Sequence, residues 1–458
     1  MRVKSLALRD NFNLLNSRDN SLQTDAKKIF EAGLQAVSPI DCVNRVVALE
    51  NSTLRISGTT YDLSKISRII VVGAGKATPA MALAIERILD KKINDGLITT
   101  KYGHKMPLTH IETVECGHPV PDEEGVIGTL RLIDKVSNLT SDTLVICLFS
   151  GGGSALLPAP AKGINLSEKQ ETTRQLLEAG CTIDEINTVR KHISQIKGGL
   201  LAKTAYPAKV VSLILSDVIG DKLSTIASGP TCPDNTTYID SVEIIRRYNL
   251  EKQVPIPVYK HIRDRLNNQK CETPDHQSHW FDYVQNVVVG NNTIALESAS
   301  NKARALGYNT LLLTSCLQGE AREAGIVLSS IAQQIKLNGQ PVSAPACLLS
   351  GGETTVRLKG NGIGGRNQEL ALSAAIHIEN WDNIAILSCG TDGNDGPTDA
   401  TGAIIDGKTV PNGKLLGHSA QQFLANNDSY SFFSNLDQLI KTGPTGTNVM
   451  DIQIALVK

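Results

Sequence analysis

Residues 68–76 read Arg-Ile-Ile-Val-Val-Gly-Ala-Gly-Lys, and residues 143–154 read Thr-Leu-Val-Ile-Cys-Leu-Phe-Ser-Gly-Gly-Gly-Ser. Each is a short apolar run without alternation, stopped abruptly by glycine. A strand covered on both faces reads this way, because neither set of side chains meets water. Outward from these two runs, strands are predicted at 97–100 and 209–215, the latter stopping at Ser216-Asp217. Helices are predicted at 80–89, 123–136, 167–180 and 183–196. Apolar strand alternating with amphipathic helix is the pattern of a parallel sheet with helices on its faces. Upstream, 21–48 predicts two helices broken at Ser38-Pro39.

Val254-Pro-Ile-Pro257 and the polar stretch 267–279 interrupt the alternation. It resumes with strands at 286–289, 310–314, 346–349, 354–358, 383–387 and 448–457, and helices at 293–306, 320–336 and 367–377. The expectation is an α/β protein of two Rossmann-like domains with largely parallel sheets and a cleft between them. Residues 1–250 form the first domain, 251–282 the inter-domain region and 283–458 the second. The strand ends Cys147-Leu-Phe-Ser-Gly-Gly and Cys347-Leu-Leu-Ser-Gly-Gly echo one another, over too few positions to establish duplication.

Composition narrows the function classes. Aromatics make up 4% of 458 residues against 38 glycines, so the cores are built from Val, Ile, Leu and Ala. Lys plus Arg total 45 and Asp plus Glu 46, a formal charge of −1 that argues against a nucleic-acid face. No stretch reaches the roughly 20 apolar residues that span a bilayer. The N-terminus has no apolar signal core, and Asp10 and Asp19 argue against a transit peptide, so a cytoplasmic protein with no membrane partner is expected. Nine cysteines without tight spacing are not a disulfide framework, and Cys147, Cys347 and Cys389 read as small buried hydrophobes. His276 and His279 lack partners for zinc, and no Gly-x-Ser-x-Gly elbow occurs.

Chemistry-bearing residues gather at strand ends, where open α/β sheets bind ligands. Ser150, Gly151, Gly152, Gly153 and Ser154 offer a bare backbone that can wrap a phosphate or carboxylate, although a sharp turn alone also calls for glycine. Gly73-Ala-Gly-Lys76 lacks the spacing of a P-loop, yet puts Lys76 at a strand end where it can offset charge on a phosphoryl group. Ser350, Gly351, Gly352 and Glu353 end another strand and are candidate nucleotide contacts. Gly360, Gly362 and Gly365 spell G-x-G-x-x-G, a weak dinucleotide signal here. With Gly364 they are expected to form a loop over phosphates that delivers Arg366. Asp217 and Asp221, and Asp392 and Asp395, are acidic residues at strand ends suited to Mg²⁺ or to accepting a proton, and also ordinary turn formers. Arg190, Ser194 and Lys197 are spaced to share a helical face beside Gly198-Gly199, as a carboxylate-binding or a packing element.

Val71-Val-Gly-Ala-Gly-Lys-Ala77, Phe149-Ser-Gly-Gly-Gly-Ser-Ala-Leu-Leu157, Asn187-Thr-Val-Arg-Lys-His192 and Leu215-Ser-Asp-Val-Ile-Gly-Asp221 resemble the N-terminal domain of the two-domain glycerate 2-kinases. Leu349-Ser-Gly-Gly-Glu-Thr354, Gly364-Gly-Arg-Asn-Gln-Glu369, Gly390-Thr-Asp-Gly393 and Thr447-Asn-Val-Met-Asp451 resemble their C-terminal MOFRL domain. The resemblance implies transfer of the ATP γ-phosphate to the 2-hydroxyl of D-glycerate, with Mg²⁺. It gives importance to Lys76, Arg366, Asp217 and Asp392. The metal is expected on Asp217, Asp221 and Asp392, and the glycerate near Ser150–Ser154 and Arg190. A homodimer is compatible with the sequence. The rival reading is an NAD(P)H-dependent hydroxypyruvate reductase that uses Gly360–Gly365 as its pyrophosphate loop.

Overall fold

The structure, a computed structural model, describes residues 21–266 and 272–458. Asp10, Asp19 and part of the polar stretch 267–279 lie outside the described residues. The chain divides into two compact units, one of residues 39–289 and one that joins the residues up to Ser38 to 290–458.

In the first unit, helix Pro39–Val46 leads into a small antiparallel sheet, β1 (Val47–Glu50), β2 (Thr53–Ile56) and β3 (Thr59–Asp62). Its second connection is two residues, Ser57 at φ 46° and Gly58 at φ 86°. Positive φ at both positions is the hairpin turn that matches strand twist. The main sheet follows, with β4 (Arg68–Ala74), β5 (Asp95–Lys101), β6 (Glu112–Cys116), β7 (Thr143–Phe149), β8 (Lys209–Leu215) and β9 (Val284–Gly290). Its order is β6-β5-β4-β7-β8-β9, and β6/β5, β5/β4, β4/β7 and β7/β8 all pair in parallel. Counted within the sheet this is 3-2-1-4-5-6, the Rossmann order. β7 is buried along its whole length, as its unbroken apolar run requires. Each Val, Leu or Ile so buried is worth roughly 1.5–3 kcal/mol.

A second core of this unit gathers Val189, Ile193, Tyr238, Ile245, Val254, Val258 and Ile262. It corrects the inter-domain region expected at 251–282. Pro255 caps helix Ile256–Arg263, so its prolines start a core helix where they were read as ending one. β9, expected in the second domain, is the sixth strand of the first sheet.

The second unit takes helix Ser21–Ala36, which packs on helix Asn292–Ala305 through Gly33, where an added Cβ would sit 3.0 Å from the Ala295 carbonyl oxygen. The break at Ser38-Pro39 is therefore a boundary between units, and residues 21–38 leave the expected first domain. The sheet comprises β10 (Asn309–Leu317), β11 (Ala346–Gly352), β12 (Ile384–Gly390), β13 (Gly402–Asp406), β14 (Leu439–Ile440) and β15 (Asp451–Val457). Its order is β10-β11-β15-β12-β13-β14, and only β10/β11 pair in parallel. The expectation of a largely parallel second sheet is corrected to a mixed one, because the last strand returns antiparallel between β11 and β12. Among the described residues, 354–358 forms no strand beyond an isolated bridge from Thr355 to Glu320. No described helix is long and apolar enough to cross a membrane.

Candidate active site

β4, β7 and β8 end level with one another: Ala74 pairs with Phe149, and Phe149 with Ile214. The loops that leave them carry Lys76, Ser150–Ser154 and Asp217, and emerge side by side where the strand order reverses. Doubly wound sheets bind ligands at that point.

The loops are tied together by short bonds. Lys76 N–H donates to the Gly151 carbonyl at 2.9 Å, and Ser150 N–H to the Ala74 carbonyl at 3.2 Å. Ala77 N–H donates to Ser150 Oγ at 3.0 Å. Gly152 is left-handed at φ 82°, and a Cβ there would fall 2.8 Å from His118 Nε2 and 3.5 Å from Lys76 Cε. At Gly151 a Cβ would fall 2.2 Å from Asp217 Oδ2. The bare turn thus has a carboxylate against one glycine, and a lysine stem and an imidazole against the next. Burial, then the charges of Lys76, Lys101 and His104, pushes His118 down to about 4, so its ring is neutral at pH 7.

Gly152→Ala should fold, since left-handed backbone costs an L-residue about 1–2 kcal/mol. It should also push His118 and Lys76 off the turn. A thermal melt beside a turnover assay would check this. A native-like melt with turnover cut at least about tenfold is expected, and unchanged turnover would contradict it.

Ser154 connects the turn to deeper groups. Lys197 Nζ donates to the Ser154 carbonyl at 2.8 Å and lies 3.4 Å from its Oγ. Ser154 Oγ is 2.8 Å from Ser228 Oγ, which donates to Asn187 Oδ1 at 3.3 Å. Arg190 is on helix Ile183–His192. That helix stops short of the predicted 196, so Arg190, Ser194 and Lys197 share no helical face. Ser194 bridges to Pro160 instead, and Lys197 arrives near Arg190 through a turn. Asp221 sits on the 3-10 turn Ile219–Asp221 at φ 52°.

In the second unit, Arg366 opens helix Arg366–His377. Its Nε and Nη2 fork onto Asp451 at 2.6 and 2.9 Å, and its Nη1 lies 3.0 Å from Glu353. Asp392 accepts the Asn394 N–H at 3.1 Å. A Cβ on Gly390 would come within 3.4 Å of Asp392 and 3.5 Å of Asp451, so these carboxylates flank one strand end.

Two expected loops are corrected here. Ser350, Gly351 and Gly352 belong to β11 and pair with Gln453, Ile452 and Asp451. Their glycines permit close packing, a Cβ on Gly351 falling 2.1 Å from Asn292 Oδ1. The 360–365 loop is not an open phosphate cradle. Asn427 Oδ1 accepts the N–H groups of Lys359 and Gly360, Asn426 those of Asn361 and Gly362, and Asp428 that of Ile363. Cβ atoms on Gly362, Gly364 and Gly365 would each fall 2.3 Å from Asp428, Ser429 and Asp395 respectively, so these glycines serve close approach. The following helix N-terminus is capped by Asp395, which accepts from Asn367 N–H at 3.1 Å and Gln368 N–H at 2.9 Å. Asp395 is therefore a cap, satisfying amides that a pyrophosphate would otherwise need.

The family model described as a domain of unknown function, DUF4147, matches residues 25–263, and that of the MOFRL family matches 346–451. The D-glycerate 2-kinase of Thermotoga maritima is 43% identical over 438 residues, covering 95% of this chain and 99% of its own. A protein of Agrobacterium vitis, provisionally named a hydroxypyruvate reductase, is 42% identical over 86% of this chain and 100% of its own. The crystal structure of glycerate kinase from Thermotoga maritima superposes with a TM-score of 0.86 at 43% identity, covering 96% of this chain and 100% of that one.

The chain belongs to the glycerate 2-kinase family.

Within this glycerate 2-kinase chain the structure brings Lys76, Gly151, Gly152 and Asp217 together, and Arg366, Glu353, Asp392 and Asp451 together. Sequence reasoning missed His118, which lies against Gly152, and left Asp451 without a role although it closed a quoted motif. The local signal that could have marked His118 is Gly117-His-Pro119, a breaker sequence.

Asp395 also sets a pH signature. Burial raises its pKa to about 6 against its amide donors, well above the usual value of 3.8. Between those values the folded chain holds a proton that the unfolded chain has lost. This carboxyl therefore costs stability as pH rises from about 4 to about 6, by about 3 kcal/mol at most. Asp395→Asn removes the titration, so its melting temperature relative to the parent should improve with pH across that window. A pH-independent difference would contradict the assignment.

Proposed function

We propose that this chain transfers the γ-phosphoryl group of ATP to the 2-hydroxyl of D-glycerate. One observation supports it above the rest: a bare glycine turn at the strand-order reversal, with Asp217 against Gly151 and Lys76 against Gly152. Phosphoryl transfer needs positioning and charge neutralisation more than covalent chemistry. In this reading the acceptor lies on Ser150–Ser154, Asp217 accepts the proton of its 2-hydroxyl, and Lys76 offsets charge on the moving group. The second unit carries the nucleotide near Arg366, Glu353 and Asp392. Arg366 keeps one N–H on each Nη beyond those given to Asp451 and Glu353.

Mg²⁺ is proposed to accompany the nucleotide, shielding phosphate charge. Among the described residues no group of three or more acidic, histidine or cysteine side chains stands together as a cage. Asp217 stands just past the end of β8, and Asp392 just past the end of β12 beside Asp451, which Arg366 already engages. One or two such donors, completed by phosphate oxygens and water, suit Mg²⁺ in nucleotide-using enzymes. The residues fit. Solubility in the cytoplasm and a homodimer remain part of the proposal.

The reductase reading is weakened by the 360–365 loop, whose amides are taken by protein and whose helix is capped by a carboxylate. The test is incubation with ATP, Mg²⁺ and D-glycerate followed by ³¹P NMR, beside hydroxypyruvate with NADH followed at 340 nm. The expected result is 2-phosphoglycerate and no NADH loss. NADH loss without a phosphorylated product would overturn the kinase.

A further inference from the structure

Three basic side chains stand behind the glycine turn with no carboxylate paired to them among the described residues. Lys197 is fully buried, and among the described residues its Nζ donates only to Ser154 oxygens. Lys169 is 4% exposed, and its Nζ donates to the Ile193 carbonyl at 3.3 Å. Arg190 is half-buried, and its Nε is fully enclosed with no acceptor. The three lie within electrostatic reach of one another, and among the described residues none forms an ion pair with a carboxylate. The neighbour Lys191 shows the contrast: it is equally buried, but pairs with Asp234 at 2.9 Å.

Gathering like charges out of water is costly unless an opposite charge arrives. Burial, reinforced by Arg190, holds Lys169 down to about 7, and burial with both neighbours holds Lys197 well below its ordinary value. An incoming anion would restore both ammonium charges. Ser154 joins this cluster to the turn. Ala227, Ser228 and Gly229, all at positive φ, press Ser228 onto Ser154 from the other side. Strained backbone of this kind persists where surrounding contacts hold it, and it gathers at ligand sites.

We propose that Lys169, Arg190 and Lys197 form one anion subsite that takes the carboxylate of the acceptor, with Lys197 as its centre. The proposal rests on the kinase reading and deepens it: the carboxylate is anchored on the Ser154 side of the turn, leaving the 2-hydroxyl for Asp217 and Lys76. It makes the enzyme selective for 2-hydroxy acids over neutral polyols.

The test is steady-state kinetics and thermal shift on the full chain with Lys197→Met, backed by Lys169→Met in case the first variant fails to fold. The expected result is a KM for D-glycerate raised at least about tenfold, with the KM for ATP unchanged. Without ligand, Lys197→Met should melt close to the parent, because burial already disfavours the lysine's charge and the change gives up bonds to Ser154 but no ion pair; a purely structural lysine would leave the variant markedly less stable. On the parent protein, D-glycerate should raise the melting temperature and its neutral methyl ester should not. A parent that phosphorylates D-glycerate, with both variants keeping its KM, overturns the subsite and spares the kinase reading. Equal protection by acid and ester overturns the subsite as well. A parent that neither binds nor phosphorylates D-glycerate overturns the kinase reading, and this assignment with it.

Discussion

Lys76→Ala is expected to lower kcat by about 10² or more while leaving the fold intact. The backbone bond from Lys76 N–H to Gly151 survives the change, so the glycine turn keeps its shape. What is lost is an ammonium whose stem lies against Gly152, beside Asp217 at Gly151. A charge that acts on the migrating group and little on the ground state changes kcat more than KM. Steady-state kinetics beside a melting curve checks this. Near-native kcat would remove Lys76 from the chemistry.

Arg366→Ala should produce the largest loss of stability, about 3–5 kcal/mol, because it leaves the buried Asp451 without its counter-charge, Asn367 being a neutral partner. Asp451 is 0% exposed, and burial already lifts its pKa against the pull of Arg366. Burial opposes the Arg366 charge too, but Asp451 and Glu353 outweigh it and hold the guanidinium charged. The low turnover expected of Arg366→Ala would therefore mix unfolding with lost chemistry. Arg366→Ala combined with Asp451→Asn separates them. The double variant should regain much of the melting temperature and remain inactive. Recovery of turnover along with stability would make Arg366 a structural partner of Asp451 and no more.

The central strands of the first sheet, β4, β7 and β8, were legible because they are apolar on both faces and run into glycine or serine, whereas the half-exposed β6 was not read as a strand. The predicted 143–149 and 209–215 coincide with β7 and β8. Direction and membership were not legible. An apolar run does not say whether β15 enters its sheet parallel or antiparallel, nor that β9 closes the first sheet. Four-residue strands such as β1 to β3 carry too little periodicity to read. The Gly360–Gly365 letters fit two physical needs, room for phosphate and room for protein, and only coordinates show that Asn426–Ser429 fills the space. Single residues at the strand ends were found because loops there combine glycine with charge. Lys169 was not, because its proposed role rests on finding no paired carboxylate among the described residues, which sequence does not display.

A crystal structure of the protein soaked with D-glycerate tests the central claim most directly. Glycerate should lie on Ser150–Ser154, with its 2-hydroxyl within hydrogen-bond distance of Asp217 and its carboxylate toward Lys197. Glycerate bound in another part of the chain, with the glycine turn holding none, would contradict the account.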